Sequence, residues 1–290
     1  MTGIAMAVVL VSALLHACWN FLAKKSLKKI VFIWWSLLAS MVLYFPMLVW
    51  FWPASGISPK GWVFVAATGI THFFYFFFLG SAYEQGDLSL VYPLSRGAAP
   101  LVVPVTAVIF LGEAVSFLGG TGIALVVAGI YVIHLRSFSG RSFLEPVLAV
   151  VRPASAWALL TGMTIAAYSL IDKAGVAWVY PPVYIYLMIA LAWLCLTPFV
   201  LVGHRRHIMP EWRANASTVA VVSILMLASY LLILFALRIA NVGYIIAVRE
   251  ISIVFSVLFG LYRLGEANRL QKLLGSAIIT AGVVCIGLSR

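Results

Sequence analysis

Continuous apolar runs of roughly 20 residues follow one another along almost the entire chain, and a run of that length crosses the hydrocarbon core as a helix. Only helices and closed barrels satisfy their backbone hydrogen bonds in lipid. The runs are continuous rather than alternating, which excludes a transmembrane barrel. Only 9% of the residues are charged and 64% are hydrophobic, too little charge for a soluble domain. The sequence therefore predicts an all-α, polytopic membrane protein.

Hydropathy and turn residues predict ten transmembrane helices. They span residues 3–22, 30–52, 62–83, 88–110, 116–135, 154–174, 181–202, 215–238, 242–262 and 270–288. The longest connection, from Arg136 to Pro153, lies at the middle of the chain. We therefore predict a first five-helix repeat at residues 1–137, a connecting loop at 138–153 and a second five-helix repeat at 154–290.

The two halves are related in sequence. Leu111-Gly112-Glu113-Ala114 recurs as Leu264-Gly265-Glu266-Ala267, and the same offset pairs Arg96 with Arg249, Gly122 with Gly275 and Gly129 with Gly282. Because each half has an odd number of helices, the second half must enter the membrane from the opposite side. Many secondary transporters are inverted repeats of this kind, with the substrate site at the repeat interface near the bilayer midplane.

Several short motifs resemble those of the EamA-type transporters of the drug/metabolite transporter superfamily. They are the Leu-Gly-Glu at the end of the fourth helix of each half, the Gly-x6-Gly helix that follows, His16-Ala17-Cys18-Trp19-Asn20, the run Gly86–Pro93 with Arg96-Gly97, and Arg249-Glu250. The resemblance implies a ten-helix bundle, in a bacterial inner membrane, that moves small metabolites, often outward, without a nucleotide. The small multidrug-resistance relatives carry a glutamate in the middle of their first helix. This chain has none there, which argues against proton-coupled cation efflux of that type.

Two arginines lie inside predicted spans, where ionisable side chains are costly and are candidates for function. Arg96 and Arg249 are each roughly 10 to 12 Å from the start of their helix at 1.5 Å per residue, and inversion brings them toward the midplane from opposite faces. A guanidinium offers a planar fork to a carboxylate or phosphate group. The alternative is that protein carboxylates, with Glu250 and Glu84 as the obvious partners, neutralise the arginines and that the pairs only fix helix packing.

Other polar side chains share helix faces with these arginines. Prolines 93, 100 and 104 are expected to kink the fourth helix and to free carbonyl groups beside Tyr92 and Ser95. The predicted substrate-binding residues are Arg96, Arg249, Glu250, Tyr92, Ser95, His16, Trp19, Asn20, His72, Tyr75, Tyr168 and Tyr230. An ordinary packing role is the alternative for each histidine and proline. Glu113 and Glu266 are expected to be turn and helix-capping groups, and Ala124/Ala128 and Ala277/Ala281 to be packing faces between helices.

Three functional hypotheses follow. The first is a secondary transporter, most simply an exporter, that moves amino acids or other carboxylate or phosphonate compounds by alternating access. The second is proton-coupled efflux of hydrophobic or cationic drugs, with Glu250 as the acid. The third is a membrane enzyme or scaffold, although the chain lacks a nucleophile motif, a phosphate-binding glycine loop and a metal-ligand cluster. We predict no enzymatic activity, no cofactor and no metal.

The basic residues indicate topology rather than a nucleic-acid partner, despite a net charge of +11. Most Lys and Arg lie in odd-numbered connections, such as Lys24, Lys25, Arg205, Arg206 and Arg269. The positive-inside rule then predicts that both termini lie outside the cytoplasm. The family resemblance implies the opposite orientation, with both termini in the cytoplasm. The expected partners are a small-molecule substrate and the lipid bilayer, and monomer and homo-oligomer both stay open.

Overall fold

The computed structural model describes residues 1–23, 26–85, 88–133, 135, 153–263 and 269–289. Within these ranges the chain is helical and contains no β-strand. The helices are α1 (Gly3–Ala23), α2 (Lys29–Phe51), α3 (Pro59–Gln85), α4 (Leu88–Leu111), α5 (Phe117–Ile133), α6 (Pro153–Gly175), α7 (Pro181–Gly203), α8 (Arg205–Ile239), α9 (Val242–Arg249), α10 (Ile251–Arg263) and α11 (Arg269–Leu288).

These helices form ten spans, as predicted, because α9 and α10 are two halves of one span that is interrupted at Glu250. Seven segments of the described chain are long and apolar enough to cross a membrane, one of them the α9–α10 span over Val242–Phe259, and Ser95–Leu111 and Phe117–Ile133 are shorter apolar segments. The prolines expected to kink the fourth helix do not end it, since α4 continues through all three. The interruption lies instead in the corresponding span of the second half.

Helix α8 is longer than its apolar run predicts. It begins at Arg205 rather than near residue 215 and kinks at Asn215, whose backbone angles are φ −132° and ψ 16°. Three arginines lower the hydropathy of its first turns, which is why hydropathy excluded them. Glu211 is fully buried there and accepts hydrogen bonds from the backbone N–H groups of Leu27 (3.3 Å) and Lys28 (2.6 Å). The start of α8 therefore holds the N-terminus of α2.

Four glycines set the contact between α5 and α11. A methyl group added at Gly122 would lie 2.6 Å from the carbonyl oxygen of Gly282, and one added at Gly129 would lie 2.7 Å from that of Gly275. Going from Gly122 to Gly129 along α5, the partner on α11 moves back from Gly282 to Gly275, so the two helices are antiparallel. The repeat pairs Gly122 with Gly275 and Gly129 with Gly282, so replacing each glycine by its counterpart turns one contact into the other. An inverted repeat requires this symmetry. The alanines expected to pack here, Ala124/Ala128 and Ala277/Ala281, are exposed instead.

Helices of the first half pack mainly against helices of the second. Helix α1 packs on α8, α2 on α7 and α8, and α3 and α4 on α6. Ser12 and Ser229 each donate to the other's carbonyl oxygen, at 2.7 and 3.0 Å, and Ser40 donates to the carbonyl oxygen of Ser223 at 3.1 Å. Interhelical hydrogen bonds of this kind commonly stabilise helix packing in membrane proteins. Because the helices of the two halves pack against each other in this way, the inner faces of both halves surround one centre.

The repeated Leu-Gly-Glu motif has a structural explanation in the first half. Gly112 ends α4 with a left-handed φ of 64°, a conformation that favours glycine. The carboxylate of Glu113 then accepts hydrogen bonds from the backbone N–H groups of Val242 (2.9 Å) and Gly243 (3.5 Å). Glu113 is a helix cap, but it caps α9 rather than the next helix in sequence. Its counterpart Glu266 lies outside the described residues.

Candidate functional site

Four buried polar residues from three regions of the fold meet at the centre of the bundle, and we call them the arginine cluster: His16, Arg96, Arg249 and Glu250. Helix α1 supplies His16, α4 supplies Arg96, and the break between α9 and α10 supplies the other two. Their exposed fractions lie between 2% and 8%. Arg96 contacts Nε2 of His16, and Nη2 of Arg249 lies 3.4 Å from Nδ1 of the same ring. The two pseudo-symmetric arginines therefore meet on one imidazole.

Hydrogen-bond donors outnumber acceptors around His16. Its Nε2 faces Arg96, while its Nδ1 faces both Arg249 and the indole Nε1 of Trp19, which lies 3.2 Å away. Guanidinium and indole N–H groups donate only, and a neutral imidazole has a single acceptor nitrogen. At least one donor in the arginine cluster therefore points at another donor. An additional acceptor, such as an anionic oxygen, would satisfy these groups.

The charges in the arginine cluster are unevenly paired. Arg96 Nη1 lies 3.7 Å from Glu250 Oε1. Among the described residues no carboxylate forms an ion pair with Arg249, which instead places its guanidinium carbon 5.2 Å from the ring centroid of Tyr230. Within the same part of the chain, Arg249 Nε and Glu250 Oε2 are buried without a hydrogen-bond partner. Counting only the described residues, two guanidinium groups meet one carboxylate, so positive charge is in excess there.

Arg249 and Glu250 lie at the tightened turn between α9 and α10, where Glu250 keeps right-handed helical backbone angles of φ −67° and ψ −7°. Adjacent side chains on a helix diverge by about 100°. Here α9 ends at Arg249, and the N–H of Glu250 bonds back to the carbonyl oxygen of Ala247 at 3.2 Å. The glutamate then reaches Arg96 while the arginine reaches His16. The broken span thus supplies both charges to one site.

A small cavity lies beside the arginine cluster. Its lining comes from helices α1, α3, α4 and α6: Asn20, Tyr75, Leu79, Ser95, Arg96, Thr161 and Ile165. Four of these, Asn20, Tyr75, Ser95 and Arg96, are among the residues predicted from sequence. Asn20 also donates to the carbonyl oxygen of His16 at 2.8 Å, so α1 contributes both to the cavity and to the cluster. The side chain of Tyr92 lies outside what the structure describes.

The remaining predicted residues form an aromatic wall. The rings of His72 and Tyr168 stack with their centroids 4.2 Å apart. Tyr75 and Tyr230 pack edge-on against Tyr168, at 5.8 and 6.0 Å. Because Tyr75 lines the cavity and Tyr230 lies under Arg249, the wall borders the arginine cluster.

The charged residue behind this wall was not predicted from the sequence. Asp172 on α6 is fully buried and accepts hydrogen bonds from the hydroxyl groups of Thr68, Tyr184 and Tyr230. It falls near the end of its predicted helix and directly precedes Lys173. Lys173 does cap a helix end, since it donates to the carbonyl oxygens of Leu237 and Ala240 at the end of α8.

The chain is similar to known proteins over its full length. The model of the EamA-like transporter family matches it twice, at residues 3–135 and 152–288. Solved structures also match, 29 chains in all. One of them, a crystal structure, superposes with a TM-score of 0.72 at 17% sequence identity and covers 99% of this chain and 98% of its own.

That identity is low, so the superposition shows a common fold and carries nothing about substrate. Comparison with curated proteins gave no significant match. The family match, by contrast, spans both five-helix halves that surround the arginine cluster. The chain is therefore a multi-pass membrane protein of the EamA-like transporter family, within the drug/metabolite transporter superfamily.

Proposed function

We propose that the protein is a secondary transporter of small metabolites that carry an anionic group, such as amino acids or other carboxylate or phosphonate compounds. One observation carries this proposal: the buried guanidinium of Arg249 has no carboxylate partner among the described residues. Burying an unpaired charge is costly. A carboxylate or phosphonate oxygen would pair with that charge and accept the surplus hydrogen bonds around His16.

The arrangement of the helices supports alternating access. The arginine cluster is assembled from both halves, and its second-half members lie where a transmembrane span is interrupted. Interrupted spans at the interface of inverted repeats are typical of substrate sites in secondary transporters. Rocking of one half against the other would change which face of the membrane reaches the site while the same arginines hold the solute.

Ligand-induced thermal shift of the purified protein in detergent tests the substrate class. The panel contains alanine, succinate, methylphosphonate and the lipophilic cation tetraphenylphosphonium. A ligand that binds the folded state raises its unfolding temperature by mass action. We expect at least one anionic solute to stabilise the wild type, and Arg249→Gln to weaken that binding tenfold or more, about 1.4 kcal/mol.

Arg238→Gln is the matched control, because Arg238 is exposed and lies over the ring of Tyr180, 5.8 Å from its centroid. We expect this variant to bind like the wild type. Equal binding by Arg249→Gln, or stabilisation by none of the anions, would contradict the proposal.

Efflux of cationic drugs is the second candidate, since Glu250 Oε2 is buried and unpaired within the described residues. It is less well supported because the other oxygen of Glu250 already faces Arg96. A shift with tetraphenylphosphonium that disappears in Glu250→Gln would favour this candidate. The family resemblance implies export across a bacterial inner membrane. Transport into inside-out compared with right-side-out vesicles tests it.

A further inference from the structure

Asp172 is held by three neutral hydroxyl groups from three different helices. Thr68 on α3 donates to its Oδ1 at 2.5 Å, Tyr184 on α7 donates to the same oxygen at 2.9 Å, and Tyr230 on α8 donates to Oδ2 in a short contact. The distance to Thr68 lies in the range of a charge-assisted O–H···O⁻ bond. The carboxyl group is fully buried. We call these residues, together with His72, the Asp172 cluster.

No cation of the described chain pairs with Asp172. The adjacent Lys173 turns away toward the end of α8 and lies 3.8 Å from Glu113. Arg96 on α4 and Arg249 on α9 contact His16 instead. The other titratable groups that face it are His72, Tyr168, Tyr184 and Tyr230. A buried carboxylate without a counter-ion, inside a membrane bundle, is a candidate site for a coupling ion.

The hydrogen bonds around Asp172 can be satisfied with and without an added proton. In the ionised state, Thr68 donates to Asp172, and Nδ1–H of His72 donates to the carbonyl oxygen of Thr68, 3.0 Å away. The hydroxyl oxygen of Thr68 is also only 3.1 Å from His72 Nδ1. A proton that binds Nε2 of His72 then releases the proton on Nδ1 to Thr68, and Thr68 passes its own proton to Asp172 Oδ1.

After this transfer the atoms and charges balance. The imidazole is neutral with its proton on Nε2, Thr68 donates to Nδ1, and the protonated carboxyl group of Asp172 donates to Thr68. Only hydrogens have moved, so the heavy atoms keep their places. The stacked ring of Tyr168 keeps the His72 plane fixed during the exchange. The cluster therefore has the connectivity of a two-state proton site.

Tyr230 connects the Asp172 cluster to the arginine cluster. Its hydroxyl group donates to Asp172, and its ring face lies under the guanidinium of Arg249. Protonation of Asp172 removes a negative charge from behind that ring. The positive potential at Arg249 then rises, and an anion binds more tightly. By reciprocity, a bound anion favours the protonated carboxyl group.

We propose that Asp172 is the proton-binding site that couples this transporter to a proton gradient, with Thr68 and His72 as the proton path and Tyr230 as the link to the anion site. The proposal rests on the proposed function, since coupling requires a transported anion. Because the proton and the anion favour each other's binding, they cross the membrane together in the same direction. Under an inward proton gradient this favours uptake, the reverse of the export that the family resemblance implies, so the direction of flux is informative.

Infrared difference spectroscopy of the full-length protein tests the site without any substrate. We expect the carbonyl stretch of a protonated carboxyl group to appear reversibly between mildly alkaline and mildly acidic buffer, and to disappear in Asp172→Asn. Thr68→Val removes the relay hydroxyl with little change in volume, and we expect it to shift the midpoint of that band. Glu250→Gln controls for the buried carboxyl group of the arginine cluster and should retain the band. An unchanged band in Asp172→Asn overturns the assignment.

Sodium is the competing ion. A band that responds to replacing K⁺ by Na⁺ at constant pH, rather than to pH, would make Asp172 a metal-ion ligand and would also overturn the proposal. Should Asp172→Asn fail to fold, the pH and Na⁺ responses of the wild type and of Thr68→Val still decide between the two ions.

Coupling is tested between about pH 6.5 and 8 with whichever of alanine and succinate stabilises the wild type more, because the carboxyl groups of both are ionised throughout that range. We expect its Kd to fall about tenfold on acidification. In Asp172→Asn, binding persists and this pH dependence disappears. A pH dependence that survives in Asp172→Asn contradicts the coupling. If no anion binds but the infrared band behaves as expected, the proposed substrate class is wrong and the proton site stands.

Discussion

Tyr230 makes two contacts that belong to different clusters, a hydrogen bond to Asp172 and a ring contact with Arg249. Tyr230→Phe keeps the ring and removes the hydroxyl group that donates to a buried carboxyl group. We expect the free energy of unfolding to fall by about 1 to 3 kcal/mol. Chemical denaturation in one fixed detergent measures it.

Tyr186→Phe is the control, because among the described residues the hydroxyl group of Tyr186 has no hydrogen-bond partner and its ring lies beside that of Phe45, with centroids 6.3 Å apart. It should leave the unfolding free energy nearly unchanged. Equal losses in both variants would mean that the Asp172 cluster contributes no specific stability.

Individual polar residues could be selected from the sequence, but their partners could not. Arg96 and Arg249 were identified because charge inside an apolar run is conspicuous, and the structure brings them together at His16. Their substrate-binding role stays a prediction. Asp172 was overlooked because hydropathy near a helix end does not reveal which helices cover it. Its three hydroxyl donors come from positions 104, 12 and 58 residues away in the chain.

The α5–α11 pair has four glycines at its closest backbone approaches. A methyl group at Gly129 would lie 2.6 Å from Ile279 Cγ1 and 2.7 Å from Gly275 O. We expect Gly129→Ala to lower the unfolding free energy by about 1 to 3 kcal/mol, because packed backbones cannot separate without losing other contacts. Thermal unfolding in detergent detects this as a lower midpoint.

Gly120→Ala provides the comparison within the same helix. A methyl group there would meet only Val115, at 3.8 Å, and alanine favours the helix over glycine. Its midpoint should therefore stay the same or rise slightly. A similar fall for Gly120→Ala and Gly129→Ala would show that the glycines do not determine this interface.

Two glutamates cap helices to which they are not adjacent in sequence. Glu113 accepts from the first N–H groups of α9, and Glu211 accepts from those preceding α2. We expect Glu113→Gln to increase amide hydrogen exchange about tenfold at residues 242 and 243, consistent with the usual cost of losing a cap. Exchange at residues 27 and 28 should stay at its wild-type rate.

Glu211→Gln should give the opposite pattern, with faster exchange at residues 27 and 28 and unchanged exchange at 242 and 243. Uniform acceleration in either variant would indicate global destabilisation instead of loss of one cap.

Helix positions followed from hydropathy, whereas helix interruptions did not. The prolines of α4 drew attention to the fourth span, yet the interruption lies at Glu250 in the ninth. A proline in the sequence indicates only that one backbone hydrogen-bond donor is missing. Whether a helix breaks depends on what replaces the missing hydrogen bonds. At Glu250 two bonds of a tighter turn do so, from Glu250 N–H to the Ala247 carbonyl oxygen (3.2 Å) and from Ile253 N–H to the Glu250 carbonyl oxygen (2.9 Å). The extra turns of α8 escaped prediction because they are polar.

At the scale of the whole molecule, the repeat made the architecture predictable. A short recurring motif and five helices on each side required inversion, and the antiparallel glycine contacts of α5 and α11 agree with it. The proposed boundaries of the two repeats, 1–137 and 154–290, stay predictions. The interleaving of the halves did not follow from the sequence, since the polar contacts between α1 and α8 join residues that are more than 200 positions apart.

Orientation in the membrane is a further prediction at this scale. The basic residues of the odd-numbered connections predict that both termini lie outside the cytoplasm. We expect a C-terminal alkaline phosphatase fusion to be active and a C-terminal green fluorescent protein fusion to be dark. Bright fluorescence with an inactive phosphatase would establish the orientation that the family resemblance implies.

The central claim is that the arginine cluster binds the anionic group of a transported metabolite. Uptake by proteoliposomes of the radiolabelled anion that gives the largest thermal shift tests it most directly. We predict saturable uptake by the wild type and by Arg238→Gln, and loss of that uptake in Arg249→Gln that is correctly inserted. Undiminished uptake by Arg249→Gln would contradict the account.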